Sequence, residues 1–137
     1  MKMWRCEKCN RRFKSKNQSH SCTDIDMGEL FIGKPDELVL AFDKLLHLVV
    51  TWKPNEVATA TKSIVFTSHK AWLIVKPMKS VLDIKFYLDR ELTSSRIFKR
   101  SKWGKKFAHH IRISHQDEID DEVVKLIKHG FEFSINL

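Results

Sequence analysis

The chain has 137 residues, enough for one ordinary domain and a small appendage, and its 42% hydrophobic content can fill a core. With 31% charged residues and only 4 Gly and 3 Pro, the composition excludes a membrane class and a low-complexity or disordered chain. The net charge of +8 points to an anionic partner: nucleic acid, an acidic protein or anionic lipid.

The start, Met1-Lys2-Met3-Trp4-Arg5-Cys6, carries charge but no apolar run after it, so it does not read as a signal peptide. The longest apolar run, within Leu38 to Trp52, is interrupted by Asp43, Lys44 and His47 and is too short to span a bilayer. The expectation is a cytoplasmic protein with no membrane partner. In that compartment clustered cysteines signal metal or chemistry before disulfides.

All 3 cysteines fall within the first 22 residues. Cys6 and Cys9 form a Cys-x2-Cys turn able to place two thiolates on one ion. His20 and Cys22 complete four N/S ligands, the set of a closed structural zinc site. A His-x-Cys pair cannot share one face of a helix or strand, so the second half of this site requires a turn. Trp4 and Phe13 flank the first pair. A segment this short cannot bury a core of its own, and a zinc ion worth on the order of 10 kcal/mol supplies the missing stability. Residues 1–23 therefore read as a zinc knuckle, 24–30 as a linker and 31–137 as the main domain.

Within the main domain, Pro35, Asp36 and Glu37 suit a helix start. Leu38, Phe42, Leu45, Leu46, Val49 and Val50 then recur at helical spacing up to a stop at Pro54. Strands follow over residues 62–67 and 71–75, joined by a tight turn at Ser68-His69-Lys70. In the next, over 81–88, Leu82, Ile84, Phe86 and Leu88 alternate with Asp83, Lys85 and Tyr87, the mark of a half-buried strand. The stretch from Arg96 to Lys106 holds six cationic residues and no acid, and reads as a flexible basic loop. A last strand spans 107–114.

Ser114 with Asp117 suggests a capping box for a final helix, whose buried face is Ile119, Val123, Leu126 and Ile127 and whose C-cap is Gly130. The expected fold is α+β: an antiparallel sheet of about five strands with two helices flanking one face, plus the small N-terminal zinc knuckle.

From about Phe31 onward the chain resembles a family of uncharacterised prokaryotic domains, domain of unknown function 5655. The resemblance is carried by Phe31-x-Gly33-Lys34-Pro35, Thr61-Lys62-x-Ile64-x-Phe66, Val75-x-Pro77-x-Lys79 and Leu88-Asp89-Arg90. It continues in His109-His110-x-Arg112-Ile113 and Ile119-Asp120-Asp121-Glu122. Members often carry a Trp-x-Cys-x2-Cys segment ahead of the domain, similar to the one that begins at Trp4. The resemblance implies an α+β fold with an antiparallel sheet and no established activity.

Phe98 and Trp103 interleave with the cations of the basic stretch, a combination suited to phosphate contact and base stacking. The candidate nucleic-acid-binding residues are Arg11, Arg12 and Lys14 in the zinc segment, and Lys99, Arg100, Lys102, Trp103, Lys105 and Lys106 in the main domain. His109 and His110 are adjacent, so on a strand one faces the core and the other faces outward. An outward His110 beside Lys62 or Arg112 would make an anion pocket or an acid–base site. No nucleophile, glycine-rich phosphate loop or carboxylate pair stands out, so no catalytic residue is assigned. The expected function is a nucleic-acid-binding or nucleic-acid-associated module with structural zinc. The alternatives are a protein-interaction module that uses the zinc segment or a sheet edge on an acidic partner, and a small enzyme with an anion pocket at His110 and Lys62.

Overall fold

The computed structural model describes residues 27–135 and, in the N-terminal segment, the backbone of two short strands. These strands, β1 (Trp4–Arg5) and β2 (Arg12–Phe13), pair antiparallel, with Trp4 opposite Phe13 and Arg5 opposite Arg12. Cys6 and Cys9 fall between them in sequence. The four expected zinc ligands, Cys6, Cys9, His20 and Cys22, lie outside the described residues, as do Arg11 and Lys14.

A 3-10 helix at Met27–Phe31 precedes α1 (Asp36–Val49). Met27, Leu30 and Phe31 pack against the core, so the end of the expected linker is part of the folded body. Pro35, at φ −58° and ψ 145°, occupies the cap position ahead of the helix. Asp36 and Glu37 place negative charge against the positive end of the helix dipole. Leu38, Ala41, Phe42, Leu45 and Val49 make the buried stripe.

Six strands follow: β3 (Glu56–Thr59), β4 (Ile64–Thr67), β5 (Ala71–Pro77), β6 (Leu82–Leu88), β7 (Ile97–Trp103) and β8 (Lys106–Ile113). They form one antiparallel sheet in the order β3-β4-β5-β6-β8-β7. Two of these strands depart from the expectation. β3 was absent from it, and the basic stretch read as a flexible loop is instead the edge strand β7 and its turn. Trp103 pairs with Lys106 across Gly104, whose φ of +61° suits a tight hairpin turn. β8 lies between β6 and β7, so the two strands adjacent in sequence are not neighbours in the sheet.

The chain closes with α2 (Asp121–Ile135). The expected capping box is shifted by one residue. The His115 ring accepts the Asp117 N–H at 3.1 Å, and the Glu118 carboxylate reaches back to the N–H groups of Ser114 and His115 at 2.9 and 3.1 Å. Asp120 then accepts the Val123 N–H at 3.1 Å at the head of α2. Partial burial alone would raise the Glu118 carboxyl. The hydrogen bonds from Ser114 and His115, with Arg96 nearby, outweigh burial and hold it below the ordinary value.

Both helices and one sheet face share a single core. It joins the α1 stripe to Ile64, Phe66, Leu73, Val75, Leu82, Ile84, Phe86, Leu88, Ile111 and Ile113, and to Val123, Leu126, Ile127 and Phe131 of α2. Trp72 is buried there with its indole N–H on Asn55, and its ring lies 6.3 Å from Trp52 and 5.4 Å from Phe131. Gly130 does not cap α2; it lies inside the helix, where a Cβ would sit 3.1 Å from two atoms of the Phe86 side chain. The missing side chain is what lets α2 approach β6 so closely. Gly130→Val will therefore destabilise the fold by about 1–3 kcal/mol through overpacking, read as a lower urea midpoint. Among the described residues no helix is long and apolar enough to cross a membrane.

Candidate nucleic-acid interface

The alternation along each strand divides the sheet into two chemically different faces. On β6, Leu82, Ile84, Phe86 and Leu88 are buried, while Asp83, Lys85 and Tyr87 point to the other side and remain half-buried. The register carries this division outward. Asp83 lies opposite Arg112, Lys85 opposite His110 and Tyr87 opposite Ala108 on β8; Lys76 of β5 lies opposite Asp83. On β7, Lys99, Ser101 and Trp103 lie opposite His110, Ala108 and Lys106. Apart from the fully buried Ala108, none of these side chains belongs to the apolar core, and the buried faces of α1 and α2 join the cluster on the other side of the sheet.

The face thus assembled is cationic and aromatic. Across β5, β6, β8 and β7 it presents Lys76, Lys85, Lys99, Lys106, His110 and Arg112, with Asp83 as its one carboxylate. Asp83 is already occupied: its carboxylate accepts from the Arg112 Nε at 3.3 Å and lies 3.0 Å from His110 Nδ1. Among the described residues Lys85, Lys99 and Lys106 have no carboxylate within ion-pair distance.

Rings sit among the cations. The Lys85 ammonium lies 5.2 Å from the Tyr87 ring and 5.5 Å from the Trp103 ring, and Lys106 lies 5.9 Å from Tyr87. The Arg112 guanidinium lies over Phe98 at 4.2 Å, which places Phe98, at the β7 irregularity, on this same face. Trp103 is 62% exposed and Phe98 60%, so both rings remain open to a ligand.

The expected site residues are distributed as follows. Lys99, Trp103, Lys106, His110 and Arg112 meet on the open face. Arg100 and Lys102 lie on the opposite side of β7, opposite His109 and Phe107, and Arg100 donates to the Leu92 carbonyl at 2.8 Å. Lys105 is in the turn after Gly104, and Arg12 lies on β2. Lys62 lies in the turn between β3 and β4. From β4 to β8 is three strand spacings, about 14 Å, so Lys62 does not meet His110. A cleft of about 290 Å³ lined by Asp89, Arg90, His129, Glu132 and Phe133 contains neither of them. Among the described residues no group of three or more His, Cys, Asp or Glu side chains is placed to hold a metal ion. Lys76, Lys85 and Tyr87 were missed as site residues. The alternation on β6 had already placed Lys85 and Tyr87 away from the core, but the neighbours of that face were not readable.

The adjacent histidines divide as expected. His110 faces the open side. His109 is fully buried, its ring stacked on Phe86 at 5.3 Å and 11°. Its Nε2 accepts the Leu92 N–H at 3.0 Å, which requires the neutral ring with its proton on Nδ1. Nδ1 makes no well-formed hydrogen bond, although the Phe107 carbonyl favours the protonated ring. Burial, reinforced by the positive charges of Arg100 and His110, lowers the pKa of His109 below the ordinary 6.5. The unfolded chain therefore takes up this proton first. The stability contributed is present above pH 6.5 and is lost as the pH falls from there through the lowered folded value. The urea midpoint will drop between pH 7.5 and 5.5, and His109→Gln, which keeps an acceptor for Leu92, will remove that part of the slope.

The family described as domain of unknown function DUF5655 matches residues 27–134. No curated protein matches the chain. No solved structure matches it either. The matched stretch covers the whole sheet and nearly all of α2, and the chain belongs to the DUF5655 family.

Proposed function

We propose that this protein binds nucleic acid through the open face of its sheet, with a zinc-held N-terminal segment as a structural appendage. The observation that carries the reading is the helix-free face of β5, β6, β8 and β7. There Lys76, Lys85, Lys99, Lys106 and Arg112 stand with Tyr87, Phe98 and Trp103 around a single carboxylate already paired within the protein. An array of cations with a single counter-charge among them repels itself in the free protein, and it gains when phosphates replace the condensed counterions. The formal charge of +8 adds long-range attraction for the same ligand.

The zinc reading rests on donor chemistry. Three thiolates and an imidazole, Cys6, Cys9, Cys22 and His20, satisfy a tetrahedral ion and leave no position for substrate. The antiparallel pairing of β1 with β2 brackets the Cys6–Cys9 pair in sequence, as a knuckle requires. Purified protein will carry one zinc per chain by elemental analysis, and Cys9→Ser will lower that content sharply. Full-length protein free of zinc, with undiminished folding of residues 1–26, would contradict it.

The binding reading is tested by fluorescence anisotropy of labelled oligonucleotides with zinc-loaded protein, at low and near-physiological salt. Binding that weakens steeply with salt is expected. Absence of binding at low salt would contradict the reading and direct the search to an acidic protein partner.

A further inference from the structure

The open face differs from a plain basic patch in having exposed rings spaced along it. We infer that its partner is a single strand whose unpaired bases stack on Trp103 and Phe98 while its phosphates meet Lys85, Lys99, Lys106 and Arg112; this rests on the nucleic-acid reading above. Phe98 and Trp103 stand at the two ends of β7, five residues apart, and five residues of strand span about 17 Å. Between them the same face offers Lys99 and Ser101, with Lys106, His110 and Arg112 on the adjoining strand. A chain lying along β7 meets a ring, a row of donors and a second ring in turn.

The exposure of these rings favours stacking. The protein has a core that accepts aromatics such as Trp72, Phe66 and Phe86 fully, yet Trp103 and Phe98 stay 62% and 60% exposed among charges. Each is accompanied by a cation that can meet a phosphate: Lys85 at 5.5 Å from Trp103 and Arg112 at 4.2 Å over Phe98. The planar guanidinium of Arg112 is itself a surface on which a base can stack. The indole N–H of Trp103 is held by Ser101 Oγ at 3.2 Å, which fixes one rotational setting of the ring. A duplex keeps its bases stacked and paired inside, so it can use the cations but leaves both rings without a partner. The π-face is common to every base, so the expected preference for sequence is small.

The test uses the zinc-loaded full chain and anisotropy at one fixed salt concentration. The probes are a mixed-sequence single strand, its duplex, a base-free sugar–phosphate oligomer of equal length and polyglutamate. The single strand should bind at least about tenfold tighter than each of the others. Trp103→Ala and Phe98→Ala should each weaken single-strand binding roughly 5- to 150-fold, the equivalent of stacking worth about 1–3 kcal/mol, with the salt slope unchanged. Trp103→Phe should recover most of the loss. Both alanine variants remove exposed side chains, and an unchanged urea midpoint will confirm that they fold. Duplex, base-free oligomer or polyglutamate binding as tightly as the single strand would overturn the inference, as would ring variants that bind like the parent. Duplex binding that depends on Lys85, Lys99, Lys106 and Arg112 would overturn it while leaving the phosphate-binding reading intact. Binding to no nucleic acid would remove both.

Discussion

Phe86→Ala is expected to cost the fold about 3–5 kcal/mol, the range for deleting a buried phenyl ring whose surroundings cannot collapse. Phe86 is fully buried at the centre of the sheet, between Leu73 of β5 and His109 of β8. Three neighbours depend on its ring. His109 stacks on it, α2 approaches it at Gly130, and the apolar faces of both helices meet in the cluster that includes it. Rigid strands on either side and a helix already at closest approach leave little freedom to fill the void. A small domain is stable by only about 5–15 kcal/mol, so this one change removes roughly a fifth or more. Urea unfolding at pH 7.5 measures it, and Phe86→Leu should fall between the parent and the alanine variant. A loss below about 1 kcal/mol for Phe86→Ala would mean that the helix–sheet seam is not packed as described.

Neutralising Lys85, Lys99, Lys106 and Arg112 together with glutamine is expected to have the largest effect on binding. If each meets one phosphate of a single strand, the slope of log affinity against log salt falls by about 3, since each contact contributes roughly 0.7. At 0.1 M salt that corresponds to an affinity loss on the order of 10²–10³-fold. The change leaves the core untouched, because none of the four belongs to it. Removing Arg112 leaves Asp83 with His110 as its remaining partner. This increases the negative potential of the face and adds to the loss. The charge-matched control neutralises Lys44, Lys53, Lys62 and Lys125 with glutamine, which removes four exposed cations that lie outside β5, β6, β7 and β8. It lowers the net charge without touching the open face, so its affinity should change only a few-fold. Equal losses in the two variants would show that net charge, not this face, governs binding.

The helices and the central strand were legible because one-sided burial writes a period into the sequence. The α1 stripe from Leu38 to Val49 and the alternation from Leu82 to Leu88 are of this kind. β7 left no such trace. It is an edge strand whose residues are exposed or half-buried throughout, so no apolar alternation marks it, and its cations read as a loop. Its existence depends on pairing with β8, which is a tertiary fact. Gly130 misled for a related reason. A glycine near the end of a helical pattern reads as a C-cap, but here it marks a close approach to Phe86 on a strand far away in sequence.

The candidate site was legible in its parts and not in its assembly. Lys99, Trp103 and Lys106 stood out through local charge and aromatic content, and His110 and Arg112 through their neighbourhood. What the sequence could not supply is the strand order. Insertion of β8 between β6 and β7 brings Lys85 and Tyr87 onto the same face as Trp103 and sets Asp83 between His110 and Arg112. The same order separates Lys62 from His110, two residues that had been joined on chemistry alone. Loops and turns fix such neighbours through geometry that leaves little periodic signal.

The most direct test of the central claim is where on the molecule a nucleic acid lands. Amide chemical-shift mapping of isotope-labelled, zinc-loaded protein titrated with a short single-stranded oligonucleotide gives that location. The largest shifts should fall on β6, β7 and β8, at Lys85, Tyr87, Lys99, Trp103, Lys106, His110 and Arg112, with α1 and α2 little changed. Shifts concentrated on the helices, or on the cleft beside Asp89 and Glu132, would contradict that claim.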